Sequence, residues 1–295
     1  MCDQAKLQNW AKDALSRREF GALAGAAALT ACSSNEMTGS PSEQAEGMGS
    51  SATLGDEVGF QTADGIMDAR FFAGPDGPAP AVIHWPDIAG IRQSHLEMAQ
   101  RTANAGYAVL LVNPYYRDAK GEIWPDFVSF ADGGWGRASE MRANLSSFAI
   151  KRDTQAIVAW LDEQSSVDTF RGIGAEGYCM GGPFTVYSAH AVPGRVKAAA
   201  SFHGGGLVRD DEESPHRLLP QTTAQYLIAI ASDDDASAPD DKVALCKAAA
   251  AANSIMTVEV YDGDHGWTVP DSPVYAKEAA ERAFAEKLKL YEAAL

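Results

Sequence analysis

Short apolar runs that alternate with helical patterns restrict the fold of this 295-residue chain more than any other sequence feature. The runs are predicted to be strands and lie at residues 79–85, 107–114, 172–178, 196–203, 224–232 and 256–263. Helices are predicted at residues 92–105, 146–163, 181–191 and 240–252, and along the terminal segment that carries Phe284, Leu288, Tyr291 and Leu295. Near-continuous apolar strands need cover on both faces, so we expect an α/β fold with a mostly parallel central sheet.

The composition argues against several classes of protein. A formal net charge of −16 and a pI near 4.7 argue against nucleic-acid binding, which needs clustered Lys and Arg. No segment offers the long uncharged apolar stretch of a membrane-spanning helix. The four cysteines, at positions 2, 32, 179 and 246, are too scattered for a disulfide framework or a CxxC metal site.

The amino terminus carries the pattern of an export signal. Arg17 and Arg18 precede a short, weakly apolar Ala/Gly-rich run that ends in Leu29-Thr30-Ala31-Cys32. Paired arginines before such a run are typical of a twin-arginine signal peptide, here residues 1–31. The ending resembles a bacterial lipobox, in which Cys32 is lipidated and becomes the first mature residue. Two alternatives remain: a chance arrangement on an amphipathic helix, and cleavage by a peptidase that releases a soluble protein.

A flexible tether is predicted after the signal. Residues 32–55 are rich in Ser, Gly and Glu and nearly empty of large apolar side chains, so they cannot bury enough surface to offset the entropy of ordering. We find no internal repeat, and residues 56–295 are predicted to form one domain. The protein is expected to use the twin-arginine export machinery and to reside on the periplasmic or cell-surface side, held at the membrane by a lipid anchor.

A glycine-flanked cysteine follows the predicted strand at 172–178. Gly177-Tyr178-Cys179-Met180-Gly181 has the G-x-S-x-G spacing of a nucleophile elbow, with Cys in place of Ser. Such a turn exposes the nucleophile at a helix amino terminus, where the helix dipole favours a thiolate. The alternative is an inert, small core cysteine.

Acidic residues and a histidine follow later strands in the order that a catalytic triad on this fold requires. Asp233, Asp234 and Asp235 come after the strand at 224–232, and His265 comes after the strand at 256–263. His265 is therefore expected at the sheet edge where it can reach Cys179, although a solvent-facing turn histidine is the alternative. The residue pattern alone does not choose among the three aspartates.

The motifs Gly-Tyr-Cys-Met-Gly-Gly and Asp-Gly-Asp-His-Gly-Trp, with the strand order, resemble the dienelactone hydrolase family of cysteine-dependent α/β-hydrolases over about residues 55–295. The resemblance implies hydrolysis of an ester or lactone. In that family a proline follows the catalytic acid four positions on, which selects Asp235 because of Pro239. It also implies an oxyanion hole made by the backbone N–H groups of Met180 and Ile88.

Further pocket residues follow from the same resemblance. Asp87 matches an early acidic residue, which implies that it opposes ionisation of the thiol; the alternative is a cap or a hydrogen bond within its own loop. The family arginine that follows the catalytic histidine is missing from residues 266–270. Arg117 is placed like the other substrate-side arginine, or is a solvated loop residue. His203, Tyr178 and Trp267 are further candidates for the substrate pocket.

The sequence thus predicts an exported hydrolase of small-molecule esters or lactones. Cys179 attacks the carbonyl carbon, and His265 takes the thiol proton and later activates water. Asp235 orients His265. This hydrolase mechanism implies no metal ion and no organic cofactor. Two other hypotheses stay open, a non-catalytic surface lipoprotein that keeps the fold for ligand binding and a thiol redox protein.

Overall fold

The structure, a computed structural model, describes residues 8–12 and 54–295. The paired arginines Arg17-Arg18, the lipobox cysteine Cys32 and most of the tether at 32–55 lie outside the described residues. Residues 8–12 are helical, and Trp10 packs against Phe127 with ring centroids 6.3 Å apart. Among the described helices, none combines the length and the apolar character needed to cross a bilayer.

An eight-stranded sheet forms the centre of the fold, in the spatial order β1-β2-β4-β3-β5-β6-β7-β8. The strands are β1 (Asp56–Thr62), β2 (Gly65–Phe72), β3 (Ala81–Trp85), β4 (Ala108–Val112), β5 (Ile173–Tyr178), β6 (Val196–Phe202), β7 (Gln225–Ala231) and β8 (Met256–Tyr261). β2 runs antiparallel to β1 and to β4, and all other neighbours are parallel. The predicted α/β-hydrolase fold with a mostly parallel sheet is confirmed.

Helices cover both faces of this sheet, as the apolar strands require. They are α1 (Gln93–Asn104), α2 (Phe127–Gly133), α3 (Trp135–Arg142), α4 (Ser147–Asp162), α5 (Gly182–Ala191), α6 (Pro215–Leu218), α7 (Ser232–Ser237), α8 (Asp241–Ala252) and α9 (Lys277–Ala294). On one face α4, α5 and α8 pack against side chains such as Ile83 and Leu110. On the other face α1 and α9 pack against side chains such as Val82 and Val109.

The antiparallel hairpin of β1 and β2 was not among the predicted strands. β1 alternates exposed positions with the buried residues Phe60 and Thr62, so it lacks the continuous apolar run of a central strand. The hairpin pairs at the edge of the sheet, where Phe60 lies opposite Met67. A strand at the edge of the sheet buries only one of its faces, so buried and exposed residues alternate along it. A continuous apolar run therefore does not mark such a strand.

The carboxyl ends of the parallel strands converge at one edge of the sheet. Asp87 follows β3, Cys179 follows β5 and His203 follows β6. The aspartates of α7 follow β7, and His265 follows β8. Loops at this edge therefore hold the residues that the sequence marks as functional, where ligands bind in parallel α/β sheets.

Candidate active site

Cys179 stands in a sharp turn between β5 and α5. Its backbone φ is +52°, in the left-handed region that residues with side chains seldom adopt. A Cβ atom at Gly177 would lie 2.0 Å from the carbonyl oxygen of Gly181, and one at Gly181 would lie 2.6 Å from that of Trp85. Only glycine fits on both sides of the cysteine. The turn holds the half-buried thiol at the amino end of α5, where the helix dipole favours a thiolate.

His265, in the loop after β8, is held by two aspartates of α7, the helix that follows β7. Its Nδ1 lies 2.6 Å from Asp234 Oδ2, and its backbone N–H donates to Asp233 Oδ1 at 2.7 Å. Because the Asp234 carboxylate accepts from Nδ1–H, the ring keeps Nε2 for the nucleophile. A hydrogen bond also joins the imidazole to Cys179. The structure therefore brings together a thiol, an imidazole and a carboxylate in the order of a catalytic triad.

The prediction that Asp235 orients His265 is wrong. Both carboxylate oxygens of Asp235 lie 2.7 Å from Nζ of Lys242, on α8. Residues 232–237 form helix α7 rather than an extended loop. Successive residues of an α-helix point about 100° apart, so adjacent aspartates there face different partners. The residue that faces His265 is Asp234.

The charges of this triad shift its pKa values. Burial lowers the pKa of His265, but the charge of Cys179 and the hydrogen bond to Asp234 outweigh that effect and raise the pKa to about 10. Burial is the largest single effect and raises the pKa of Asp234, but the lowering effects, led by the hydrogen bond and the charge of His265, together outweigh it and lower the pKa. The raised pKa favours the imidazolium form of His265 at neutral pH, and an imidazolium next to a thiol favours the thiolate.

Asp87 is bound to arginine rather than to the thiol. Its Oδ1 and Oδ2 accept from Nη1 and Nη2 of Arg92 at 2.7 and 2.8 Å, and Oδ1 also accepts from the backbone N–H of Ala89 at 2.9 Å. Burial raises the pKa of Asp87, but Arg92 and His95 outweigh burial and hold it far below its usual range. The predicted gating of the thiol by Asp87 is therefore corrected: its carboxylate bonds its own loop and a buried arginine.

A row of buried polar side chains, hydrogen-bonded to one another, contacts the loop that carries Asp87. Asp87 N–H donates to His95 Nε2 at 3.3 Å, His95 Nδ1 lies 2.8 Å from His84 Nε2, and His84 Nδ1 lies 2.7 Å from Glu176 Oε1. In a neutral His84 whose Nδ1–H donates to Glu176, Nε2 accepts from Nδ1–H of His95. Burial lowers the pKa of His84 to about 4, so this ring is neutral. Lys287 closes the row, with its Nζ 2.6 Å from Glu176 Oε2.

The sequence analysis missed this row, although a signal for it exists. His84 and Glu176 are single polar residues inside otherwise apolar strand runs. Such residues are fully buried and need partners within the fold. The analysis also missed Tyr115, whose hydroxyl donates to the carbonyl of Ile88 at 2.8 Å and lies 3.3 Å from Met180 Sδ. Tyr115 thus connects the two residues that are predicted to form the oxyanion hole.

Two cavities meet at Cys179. The larger measures about 430 Å³, and its wall includes Ile88, Met180 and the backbone of residues 204–206. The smaller measures about 20 Å³, and His203 forms part of its wall. Cys179 and His265 line both cavities. Among the described groups of His, Cys, Asp and Glu side chains, none is arranged to hold a metal ion.

Two other pocket candidates lie behind the site. Tyr178 is buried between His84 and Phe202, with ring centroids 5.0 and 5.1 Å away. Trp267 is buried and stacks on Tyr261, with ring centroids 4.8 Å apart. Neither belongs to the wall of the two cavities at Cys179. The prediction that they line the substrate pocket is therefore wrong; both support the site through packing.

Residues 67–295 match the model of the dienelactone hydrolase family. The chain belongs to the dienelactone hydrolase family. This membership confirms the resemblance drawn from the elbow and histidine motifs, and it identifies the protein as a hydrolase of the dienelactone hydrolase type.

This chain spans most of the length of several known proteins that it resembles. A Synechocystis protein described as "Putative carboxymethylenebutenolidase" is 26% identical over 230 residues, which cover 74% of this chain and 88% of the relative. A crystal structure described as that of a "Putative Dienelactone Hydrolase" from Klebsiella pneumoniae has a TM-score of 0.67 and 21% identity, and the match covers 80% of this chain and 97% of that one. A dienelactone hydrolase-like promiscuous phosphotriesterase from metagenomic libraries has a TM-score of 0.62 and 22% identity, with 81% and 97% covered.

The arginines of this dienelactone hydrolase-family protein depart from the prediction. Arg117 lies 2.7 Å from Asp64 Oδ2 and 2.7 Å from Asp153 Oδ1, and its guanidinium stacks over Tyr116. Its donors are engaged by two carboxylates, and it lines neither cavity at Cys179. Arg117 is therefore a structural residue, and its predicted role as a substrate clamp is corrected. The arginine that lines the larger cavity is Arg142, at the end of α3.

Proposed function

We propose that this protein hydrolyses carboxylic esters or lactones of small molecules with Cys179 as the nucleophile, His265 as acid and base, and Asp234 as the orienting carboxylate. One observation carries the proposal. A cysteine held at φ +52° and a histidine whose Nδ1 is bound by Asp234 share the wall of a cavity of about 430 Å³. That arrangement is the geometry of nucleophilic acyl transfer.

Acylation begins from a charged pair. The Cys179 thiolate attacks the carbonyl carbon of the ester, and the carbonyl oxygen becomes an oxyanion that accepts hydrogen bonds from the backbone N–H groups of Ile88 and Met180. His265, protonated because its pKa is raised to about 10, then donates its proton to the leaving alkoxide. The C–O bond breaks, and a thioester on Cys179 and a neutral His265 remain.

Deacylation uses the neutral imidazole. His265 takes a proton from water while the water oxygen attacks the thioester carbon, and the C–S bond breaks. The products are a carboxylic acid and the original pair of Cys179 thiolate and His265 imidazolium. The Asp234 carboxylate stabilises the imidazolium each time it forms.

A burst experiment tests this function. Full-length protein is mixed with an activated p-nitrophenyl ester, and we expect release of p-nitrophenol equal to the enzyme concentration, followed by slower turnover. Cys179→Ala should show neither phase, because no thiol remains to form the acyl-enzyme. Cys246→Ala is the matched control, since this exposed cysteine lies on α8, and it should keep both phases. Wild-type rates in Cys179→Ala would reject the mechanism.

We also propose that the protein is exported by the twin-arginine machinery and anchored by a lipid at Cys32, on the periplasmic or cell-surface side. The support comes from the sequence alone: Arg17-Arg18 before a weakly apolar run, and the ending Leu29-Thr30-Ala31-Cys32. Residues 33–53, rich in Ser and Gly, would separate the hydrolase domain from the membrane.

A further inference from the structure

The smaller cavity beside Cys179 has the size of a single water molecule. It measures about 20 Å³, and a cavity needs roughly 10–15 Å³ of this volume to hold one water. It shares Ile88, Cys179 and His265 with the larger cavity of about 430 Å³. A substrate acyl group fits only the larger cavity. The two cavities therefore offer separate places for the acyl group and for a water next to the same sulfur atom.

His203 is the residue of the smaller cavity whose hydrogen bonding is incomplete. The side chain is 1% exposed, and its Nε2 lies 2.7 Å from Thr268 Oγ1. Its Nδ1 is buried and has no hydrogen-bond partner among the described residues. Buried polar atoms are nearly always satisfied by protein or by ordered water. An unsatisfied nitrogen on a residue that lines a cavity of this size points to a water.

The backbone fixes this ring in place. His203 has a φ of +40°, a conformation that residues with side chains seldom adopt, and its N–H donates to the carbonyl of Ala229 at 2.8 Å. The ring packs against His265, with centroids 5.1 Å apart. A strained backbone position that is held by neighbouring strands often marks a functional residue.

We propose that His203 positions the hydrolytic water of deacylation in the smaller cavity, through its Nδ1. This inference rests on the proposed ester or lactone hydrolysis and adds a positioning residue to it. The water donates one hydrogen to Nδ1 of His203 and the other to Nε2 of His265. The oxygen keeps a lone pair directed at the thioester carbon on Cys179.

The protonation of His203 agrees with this role. Burial lowers the pKa of His203 well below its usual value, and the charge of His265 lowers it further, so the ring is neutral. With Nε2–H donated to Thr268 Oγ1, Nδ1 is an acceptor. His203 then holds the water without taking its proton, and His265 remains the base.

The step balances. The water oxygen forms a C–O bond to the thioester carbon, one water proton moves to His265, and the C–S bond breaks to give the Cys179 thiolate. The second water proton stays on the carboxylic acid and is released to solvent when the acid ionises. No oxidant, reductant or further reactant is needed.

The test separates acylation from deacylation in His203→Gln. The amide of glutamine can replace Nε2 as the partner of Thr268 Oγ1, but its side chain places no nitrogen or oxygen at the position of Nδ1. With a p-nitrophenyl ester we expect the burst rate to stay within about twofold, and the later turnover to fall about tenfold or more. Because deacylation limits turnover, kcat and KM should fall together while kcat/KM is kept, and mass spectrometry should show acyl-enzyme at Cys179. Added hydroxylamine should shorten the lifetime of that acyl-enzyme.

Matched variants complete the test. His190→Gln, on α5 outside the walls of both cavities, should leave both rates unchanged. Thr268→Val keeps the His203 ring but removes the partner of Nε2, and we expect deacylation to slow by about threefold or more. This variant replaces His203→Gln if that protein does not fold. Unchanged deacylation, or an equal loss of burst rate and turnover, would overturn the role of His203. Absence of acyl-enzyme in the wild-type protein would instead overturn the proposed function.

Discussion

His265 Nδ1 and Asp234 Oδ2 lie 2.6 Å apart, and this contact determines which of three consecutive aspartates serves the active site. Asp233 bonds the backbone N–H of His265, and Asp235 bonds Lys242. Each aspartate of α7 thus has its own partner. The single contact with the imidazole ring assigns the orienting role to Asp234.

Asp234→Asn should lower kcat by about 10²–10⁴-fold, because an amide neither fixes the ring tautomer nor stabilises the imidazolium. Asp235→Asn should change kcat by less than about twofold, since it removes only a partly exposed ion pair with Lys242. Steady-state kinetics with one ester substrate measure both, and thermal unfolding confirms that both variants fold. An inactive Asp235→Asn beside an active Asp234→Asn would contradict the assignment.

The charged pair predicts a pH profile. Burial lowers the pKa of His265, but Cys179 and Asp234 raise it to about 10, so we expect kcat/KM to fall as the pH rises through about 10, when the proton for the leaving group is lost. Nuclear magnetic resonance of the imidazole ring should give the same pKa. Cys179→Ala should lower it, since the charge of Cys179 is the largest of the causes that raise it. A ring that titrates near 6.5 in the wild-type protein would contradict the pair.

Much of the fold and part of the site follow from the sequence, for identifiable reasons. The run at 172–178 is continuous and apolar, and the structure places β5 at Ile173–Tyr178. The glycines around Cys179 specify a tight turn whose geometry no other residue fits, so the elbow is visible in the sequence. The choice between Asp234 and Asp235 depends on the phase of one short helix. No composition or spacing within a run of three aspartates encodes that phase.

Ion pairs between residues far apart in the sequence are the other feature that the sequence does not reveal. Arg92 bonds Asp87 five residues away and also Asp271, at 2.8 and 2.9 Å, across most of the chain. Arg117 likewise meets Asp64 and Asp153. The sequence does not distinguish an exposed arginine from a buried arginine in an ion pair. Only the folded structure shows which carboxylates contact each arginine.

The Asp87–Arg92 contact predicts a structural defect in Asp87→Asn. The guanidinium of Arg92 is fully buried, and removal of one partner of a buried ion pair costs about 3–5 kcal/mol of unfolding free energy. Asp271 still pairs with Arg92 in this variant, so we expect a loss near the lower end of that range, about 3 kcal/mol. Urea unfolding measures it. The pH dependence of iodoacetamide alkylation at Cys179, with Cys246→Ala as background, should stay unchanged. A lower apparent pKa of the thiol would restore the gating role that the structure argues against.

Export gives an independent prediction. Replacing Arg17 and Arg18 together by Lys should leave the precursor in the cytoplasm, because the twin-arginine pathway recognises the arginine pair. Cys32→Ala should abolish incorporation of labelled fatty acid. Cell fractionation and metabolic labelling measure the two effects, and Cys246→Ala is the cysteine control for labelling. Label that survives Cys32→Ala would exclude the lipobox and leave a protein without this anchor.

The buried pair of Glu176 and Lys287 predicts that loss of the lysine reverses the pH dependence of the unfolding free energy. Burial raises the pKa of Glu176, but Lys287 and His84 outweigh burial and hold it at about 2. A lowered folded pKa means that this carboxylate stabilises the protein above its usual value of 4.5, and that the stabilisation is lost as the pH falls towards 2. Lys287→Met leaves the carboxylate buried without its cation, so unfolding free energy at pH 7 should drop by about 3–5 kcal/mol.

In Lys287→Met the desolvated carboxyl should have a pKa above 4.5, because burial is no longer opposed by the lysine. The unfolding free energy of this variant should therefore rise as the pH falls from 7 towards that pKa, whereas Glu176 gives the wild-type protein no such gain. Urea unfolding of both proteins at pH 7 and pH 5 measures the difference. The double variant Glu176→Gln with Lys287→Met removes the charge, and it should recover part of the loss and show no such slope. A single variant with the wild-type pH dependence would show that Lys287 does not hold the charge of Glu176.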